Sequence, residues 1–130
     1  MASILVIDDD APFNTLIQEF LSQQGHNVTA AYNGREGLDR FEEDQPDIVI
    51  TDIRMPKSDG LDLLLKLRNH GEHAPKGIIL MSGLVNAQSD RYKNTLQALG
   101  ASDFMQKPFP LDELSRKINE ILSSNQDAHY

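Results

Sequence analysis

The chain has 130 residues, a formal net charge of −8 and no cysteine, which bounds it to about one domain and excludes disulfides, thiolate metal sites and a cysteine nucleophile. The acidic balance repels nucleic acid phosphates and anionic lipid, and no apolar run approaches the ~20 residues of a membrane span. The opening Met1-Ala2-Ser3-Ile4-Leu5-Val6-Ile7 runs straight into three aspartates without the basic flank of a signal peptide, so a cytoplasmic protein is expected, with no direct contact to nucleic acid or membrane.

Residues 4–7 form a short apolar run of strand length, and Pro12 then opens a helix with Phe13, Leu16, Ile17, Phe20 and Leu21 at three-and-four spacing, closed at Gly25. A second run at 28–31 precedes Asn33 and Glu36, a capping pair for a helix that carries Leu38 and Phe41. A third at 48–51 is followed by the stripe Leu61, Leu64 and Leu65, with Gly71 beyond it. A fourth at 78–81 precedes Tyr92, Leu96 and Leu99, ended by Gly100. A fifth at 103–105 leads to Pro110, placed in the first turn of a helix carrying Leu111, Leu114, Ile118, Ile121 and Leu122. Five strand–helix pairs in alternation imply a parallel sheet covered on both faces, since parallel neighbours need crossover connections. The expectation is a doubly wound α/β domain over residues 1–122 with a polar tail at 123–130.

The residues at the strand ends carry the chemistry. The first strand runs into Asp8-Asp9-Asp10, the third into Asp52, the fourth into Ser82 and the fifth into Gln106-Lys107-Pro108. In an open α/β sheet the ligand crevice lies at the carboxyl ends of the strands, so these groups converge on one rim. Adjacent carboxylates repel, and a hard divalent cation relieves them; magnesium is the natural candidate. Each residue alone has a plainer explanation: Asp10 before Ala11-Pro12 as a helix cap, Ser82 before Gly83 as a turn residue, Lys107 as a loop lysine. Four of five strands ending this way favours a common site.

These residues give the chain a family resemblance. Ile4-Leu5-Val6-Ile7-Asp8-Asp9, Asp52-Ile53-Arg54-Met55-Pro56, Met81-Ser82-Gly83 and Lys107-Pro108-Phe109 resemble, in order, the four signature segments of the response-regulator receiver domain of two-component signal transduction. The resemblance spans residues 3–122. It implies a flavodoxin-like (βα)5 fold with a five-stranded parallel sheet in the order 2-1-3-4-5. It further implies that Asp52 accepts a phosphoryl group from a sensor histidine kinase or a histidine phosphotransfer protein, making the domain a signalling phosphoacceptor rather than a turnover enzyme. Asp9, Asp52 and the main-chain carbonyl of Arg54 would bind Mg2+ directly, with Asp8 acting through water. Lys107, aimed into the pocket by a cis Lys107–Pro108 peptide, and Ser82 would contact phosphoryl oxygens.

Two further implications concern timing and output. Arg54 and Leu84, two residues beyond Asp52 and Ser82, flank the route of hydrolytic water in receivers. Neither orients an attacking water, so slow self-hydrolysis is expected. Ser82 and Phe104 correspond to the switch pair, with a phenyl ring where tyrosine is frequent. The output face would comprise the fourth helix, fifth strand and fifth helix, with Arg91, Lys93, Asp103, Glu113, Arg116 and Lys117, read by a downstream effector or by a second copy. Other readings fit less well. The acidic triplet is similar to the start of a haloacid-dehalogenase-like phosphatase, but Pro12 stands where Thr or Val belongs. As a calcium loop it fails at Phe13, where glycine is required. His70, Glu72 and His73 make only a loop cluster. A receiver-like docking module without chemistry would not need the full acid, hydroxyl and lysine set.

Overall fold

A computed structural model describes residues 2–52, 54, 55, 58–83, 94, 97, 98 and 100–127. Strands β1 (Ser3–Ile7), β2 (Asn27–Ala31), β3 (Ile48–Asp52), β4 (Gly77–Ser82) and β5 (Asp103–Gln106) form one sheet. Its order is β2-β1-β3-β4-β5 and every neighbouring pair is parallel. Helices α1 (Ala11–Gln23), α2 (Gly34–Asp44), α3 (Gly60–Arg68) and α4 (Leu111–Asp127) connect and cover it. A two-residue antiparallel pair, Arg54–Met55 with Ser58–Asp59, lies between β3 and α3. The expected helix over Tyr92, Leu96 and Leu99 falls on positions outside the described residues, as do Leu84, Arg91 and Lys93.

Strand residues alternate between two cores, as the period of two requires. Leu5, Ile7, Val49, Ile78 and Leu80 pack with Phe41 of α2 and Leu63, Leu64 and Leu67 of α3. Ile4, Val6, Ile48, Ile50, Ile79 and Met81 pack with Ile17 and Leu21 of α1 and Leu114 and Ile118 of α4. Burial on both faces explains the continuous apolar runs. α2 approaches β1 closely because Gly37 has no side chain: a Cβ there would lie 2.5 Å from Ile7 Cδ1.

The caps follow local chemistry. Asp10 accepts the Phe13 N–H at 3.2 Å and Asn33 the Glu36 N–H at 2.8 Å, each satisfying a first-turn donor. α1 ends in a left-handed Gly25 (φ +93), with His26 N–H donating to Leu21 O and Gly25 N–H to Ser22 O.

Some details differ from the sequence expectation. On α1 the buried line is Asn14, Ile17 and Leu21, while Leu16 is 48% exposed and Phe13 and Phe20 are half-buried. On α3 Leu64 is buried as expected, but Leu65 faces solvent and Leu63 and Leu67 are buried in its place. In both helices the apolar content is wider than the stripe that touches the sheet. Pro110 precedes α4 rather than opening it, and its carbonyl accepts the Glu113 N–H at 3.1 Å. α4 is helical to Asp127.

Candidate functional site

Parallel register aligns the strand ends on one rim. Ile7 is level with Thr51, Asp52 with Met81, and Ser82 with Gln106, so the residues at or just beyond these positions are neighbours. β3 and β4 each run one residue past their apolar segment, making Asp52 and Ser82 the last ladder residues. Asp8, Asp52 and Ser82 are buried, whereas Asp9 and Asp10 are exposed. They open onto a cleft of about 390 Å³ that Gly83 and Lys107 complete.

Lys107 joins the two buried acids. Its Nζ donates to Asp8 Oδ2 and to Asp52 Oδ2, both at 2.6 Å. Its main-chain N–H donates to the Ser82 carbonyl at 2.8 Å, and the Lys107–Pro108 peptide is cis. Burial alone would lower the Lys107 pKa, but the hydrogen bonds and charges of Asp52 and Asp8 outweigh it and hold the ammonium above its ordinary value. Asp8 shows the opposite balance. Burial pushes its carboxyl up, and the hydrogen bonds from Lys107 and the Asp10 N–H offset this only in part.

Asp8 is held by its backbone as well. Its N–H donates to the Ala31 carbonyl at 3.1 Å, and its Oδ1 accepts the Asp10 N–H at 2.9 Å. The fully buried Asn14 donates its amide to the carbonyls of Asp8 at 3.1 Å and Ala31 at 3.0 Å, and accepts from Gln18 at 2.9 Å. Asn14 is absent from the expected site. A polar residue three positions before Ile17 and seven before Leu21, on the core-facing line, was the available signal.

The expected residues therefore separate into groups. Asp8, Asp9, Asp52, Ser82 and Lys107 come together; Asp10 lines the cleft and caps α1. Asp8, Asp9 and Asp52 each offer a carboxylate oxygen, all within 4.8 Å of one another. Hard oxygen donors of this charge suit a divalent cation such as Mg2+, and the donor set fits it. Arg54 follows two residues after Asp52 in the short strand pair. Phe104 is buried on the α2–α3 side, in one cluster with Leu80 and Ala101. Asp103 and Lys117 pair with each other within the chain at 2.9 Å.

Comparison with known proteins agrees with this geometry. Residues 4–119 match the family described as response regulator receiver domain. Response regulator MprA of Mycolicibacterium vanbaalenii is 39% identical over 119 residues, covering 92% of this chain and 49% of that protein. The chain thus spans about half the length of the curated relatives it matches. Among solved structures, a response regulator receiver domain protein from Clostridium thermocellum superposes with a TM-score of 0.86 at 30% identity, covering 97% of this chain and 98% of the other. A CheY-like receiver domain protein from Methanospirillum hungatei JF-1 gives 0.87 at 26% identity, covering 98% of each.

Proposed function

The chain belongs to the response regulator receiver domain family, the phosphoacceptor unit of two-component signalling, and on that premise we propose that Asp52 receives the phosphoryl group from a phosphohistidine. The donor is a sensor histidine kinase or a histidine phosphotransfer protein. The observation that carries this reading is the Lys107 ammonium held 2.6 Å from both Asp8 and Asp52 at the rim of the sheet. One cation between two acids marks a cleft arranged around negative charge, and Asp52 is the acid at the end of the central strand β3.

An Asp52 carboxylate oxygen attacks phosphorus as the donor's N–P bond breaks, and the imidazole leaves with the bonding pair and is protonated from solvent. No general base is required, because the carboxylate is already the nucleophile. Lys107 passes an N–H from Asp52 to a phosphoryl oxygen, and the Ser82 hydroxyl donates to another. Asp9, Asp52 and the Arg54 carbonyl are the residues to hold Mg2+, with Asp8 acting through water. When bound, the ion offsets the charge of the carboxylates and the phosphoryl group.

Ser82 and Phe104 form the switch. As Ser82 moves toward the phosphoryl group, Phe104 fills the space behind it, through packing alone because it has no hydroxyl. The signal leaves through β5, α4 and the segment between β4 and β5, to a downstream effector or a second copy. The phosphoacceptor unit occupies 1–122 with 123–130 as a polar tail, and it works in the cytoplasm. No helix among the described residues is long and apolar enough to cross a membrane.

The test is to incubate the chain with Mg2+ and a small phosphodonor or a phosphorylated kinase, trap the acyl phosphate by borohydride reduction and map it. Label on Asp52, lost in Asp52→Ala, is expected; label elsewhere overturns the assignment. Sedimentation with and without beryllofluoride separates the listeners. Dimerisation abolished by Lys117→Glu identifies a second copy, and a monomer in both states leaves an effector.

A further inference from the structure

Phe13 has no part in the chemistry above, yet Lys107 sits on its ring. Nζ lies over the ring at 4.5 Å from the centroid. Phe13 stands in the first turn of α1, where Asp10 fixes its backbone through the 3.2 Å cap, so the ring is anchored by the segment that supplies Asp8 and Asp9. Phe109, two residues beyond Lys107, meets it almost perpendicularly, with centroids 5.8 Å apart and an interplanar angle of 83°. That edge-to-face contact joins the start of α1 to the segment after β5.

The ammonium is therefore surrounded by chosen partners. Two carboxylates accept its N–H groups, and an aromatic face covers another side. A leucine would serve equally well as an apolar residue at this half-buried helix position. Only a ring adds an electron-rich face that attracts a cation.

We propose that Phe13 is a positioning residue for phosphoryl transfer: its ring holds the Lys107 ammonium over Asp8 and Asp52, and Phe109 keeps the ring turned toward it. An ammonium already located beside Asp52 surrenders little freedom when it shifts to a phosphoryl oxygen. Without the ring, water replaces the aromatic face and the lysine samples other positions. The inference rests on the reading of Asp52 as acceptor and Lys107 as its phosphoryl partner.

The test compares acyl phosphate formation on the full chain with Mg2+ and acetyl phosphate for wild type, Phe13→Leu, Phe13→Met, Phe13→Tyr and Lys107→Met, and for Phe13→Leu combined with Lys107→Met. Phe13→Leu and Phe13→Met should each slow labelling of Asp52 by about fivefold, the size of one partly desolvated cation–π contact, and Phe13→Tyr should restore it. In the Lys107→Met background Phe13→Leu should add nothing, because the ring acts through the ammonium. In the metal-free protein, the Lys107 ε-methylene protons should resonate upfield through the ring current and lose that shift in Phe13→Leu. Wild-type rates in both aliphatic variants, a tyrosine variant as slow as leucine, or an equal loss with and without Lys107 overturns the proposal. A wild type unlabelled at Asp52 overturns the functional reading beneath it instead.

Discussion

The Asn14 amide donates to the Asp8 main-chain carbonyl at 3.1 Å, so a buried residue of the first helix fixes the acid that opens the cleft. The same amide reaches Ala31 at the end of β2. Asn14→Leu fills the space but leaves buried carbonyls without that donor, and should destabilise the protein by about 2 kcal/mol. Urea unfolding measures this. Mg2+ affinity should also fall, because the Asp8 backbone is no longer held in place; unchanged stability and affinity would show that Asn14 is dispensable.

Lys107 competes with any cation for Asp8 and Asp52. Lys107→Met should destabilise the metal-free chain by about 3 kcal/mol, since it leaves two buried acids without their cation. It should simultaneously raise Mg2+ affinity several-fold. Calorimetric titration together with urea unfolding in EDTA tests both signs, and a variant that loses stability and Mg2+ affinity together contradicts the competition.

The two displaced pKa values give opposite ends of a stability profile. Burial holds Asp8 above 3.8 in the folded chain, so the unfolded chain releases this proton first as pH rises. Stability is therefore lost as pH climbs from 3.8 through the folded value of Asp8. Lys107 is held above its ordinary 10.5 because its bonds to the acids outweigh its burial, so its contribution is complete below 10.5 and disappears as pH rises through its folded value. Urea midpoints measured in EDTA across pH should show the acid-side slope removed by Asp8→Asn and the alkaline slope removed by Lys107→Met.

Hydrolysis of the acyl phosphate should be slow in the wild type. Arg54 and Leu84 follow two residues after Asp52 and Ser82, and neither is a small carboxamide or acid suited to orienting an attacking water. Arg54→Asn combined with Leu84→Glu should shorten the lifetime, read by loss of the Asp52 label after the donor is removed. An equal or longer lifetime refutes the assignment of these positions.

Most of the architecture was legible because strands buried on both faces leave continuous apolar runs, and Asp52, Ser82 and Lys107 follow directly from where those runs stop. The less visible parts depend on long-range contact. Leu16 and Leu65 share the helical spacing of their neighbours but face solvent, because an apolar side chain alone does not reveal which side of a wide stripe meets the sheet. Asn14 is polar, so hydrophobic periodicity passes over it, although it lies on the same buried line as Ile17 and Leu21. The contact of Phe13 with Lys107 joins residues 94 positions apart and has no local signature. Pro110 lies just outside its helix, where its carbonyl accepts the Glu113 N–H of the first turn.

The alternation along the sheet also bears on how such a protein diversifies. Phe104 belongs to the layer under α2 and α3, and its neighbour Met105 to the layer under α1 and α4. Buried side chains on opposite faces share no packing partner, so their substitutions combine nearly independently. Replacing the Phe104 ring repacks its layer around Leu80 and Ala101 while Ile17, Leu21, Leu114 and Ile118 keep the other layer intact. Each apolar layer of the domain can thus be repacked while the other stays as it is.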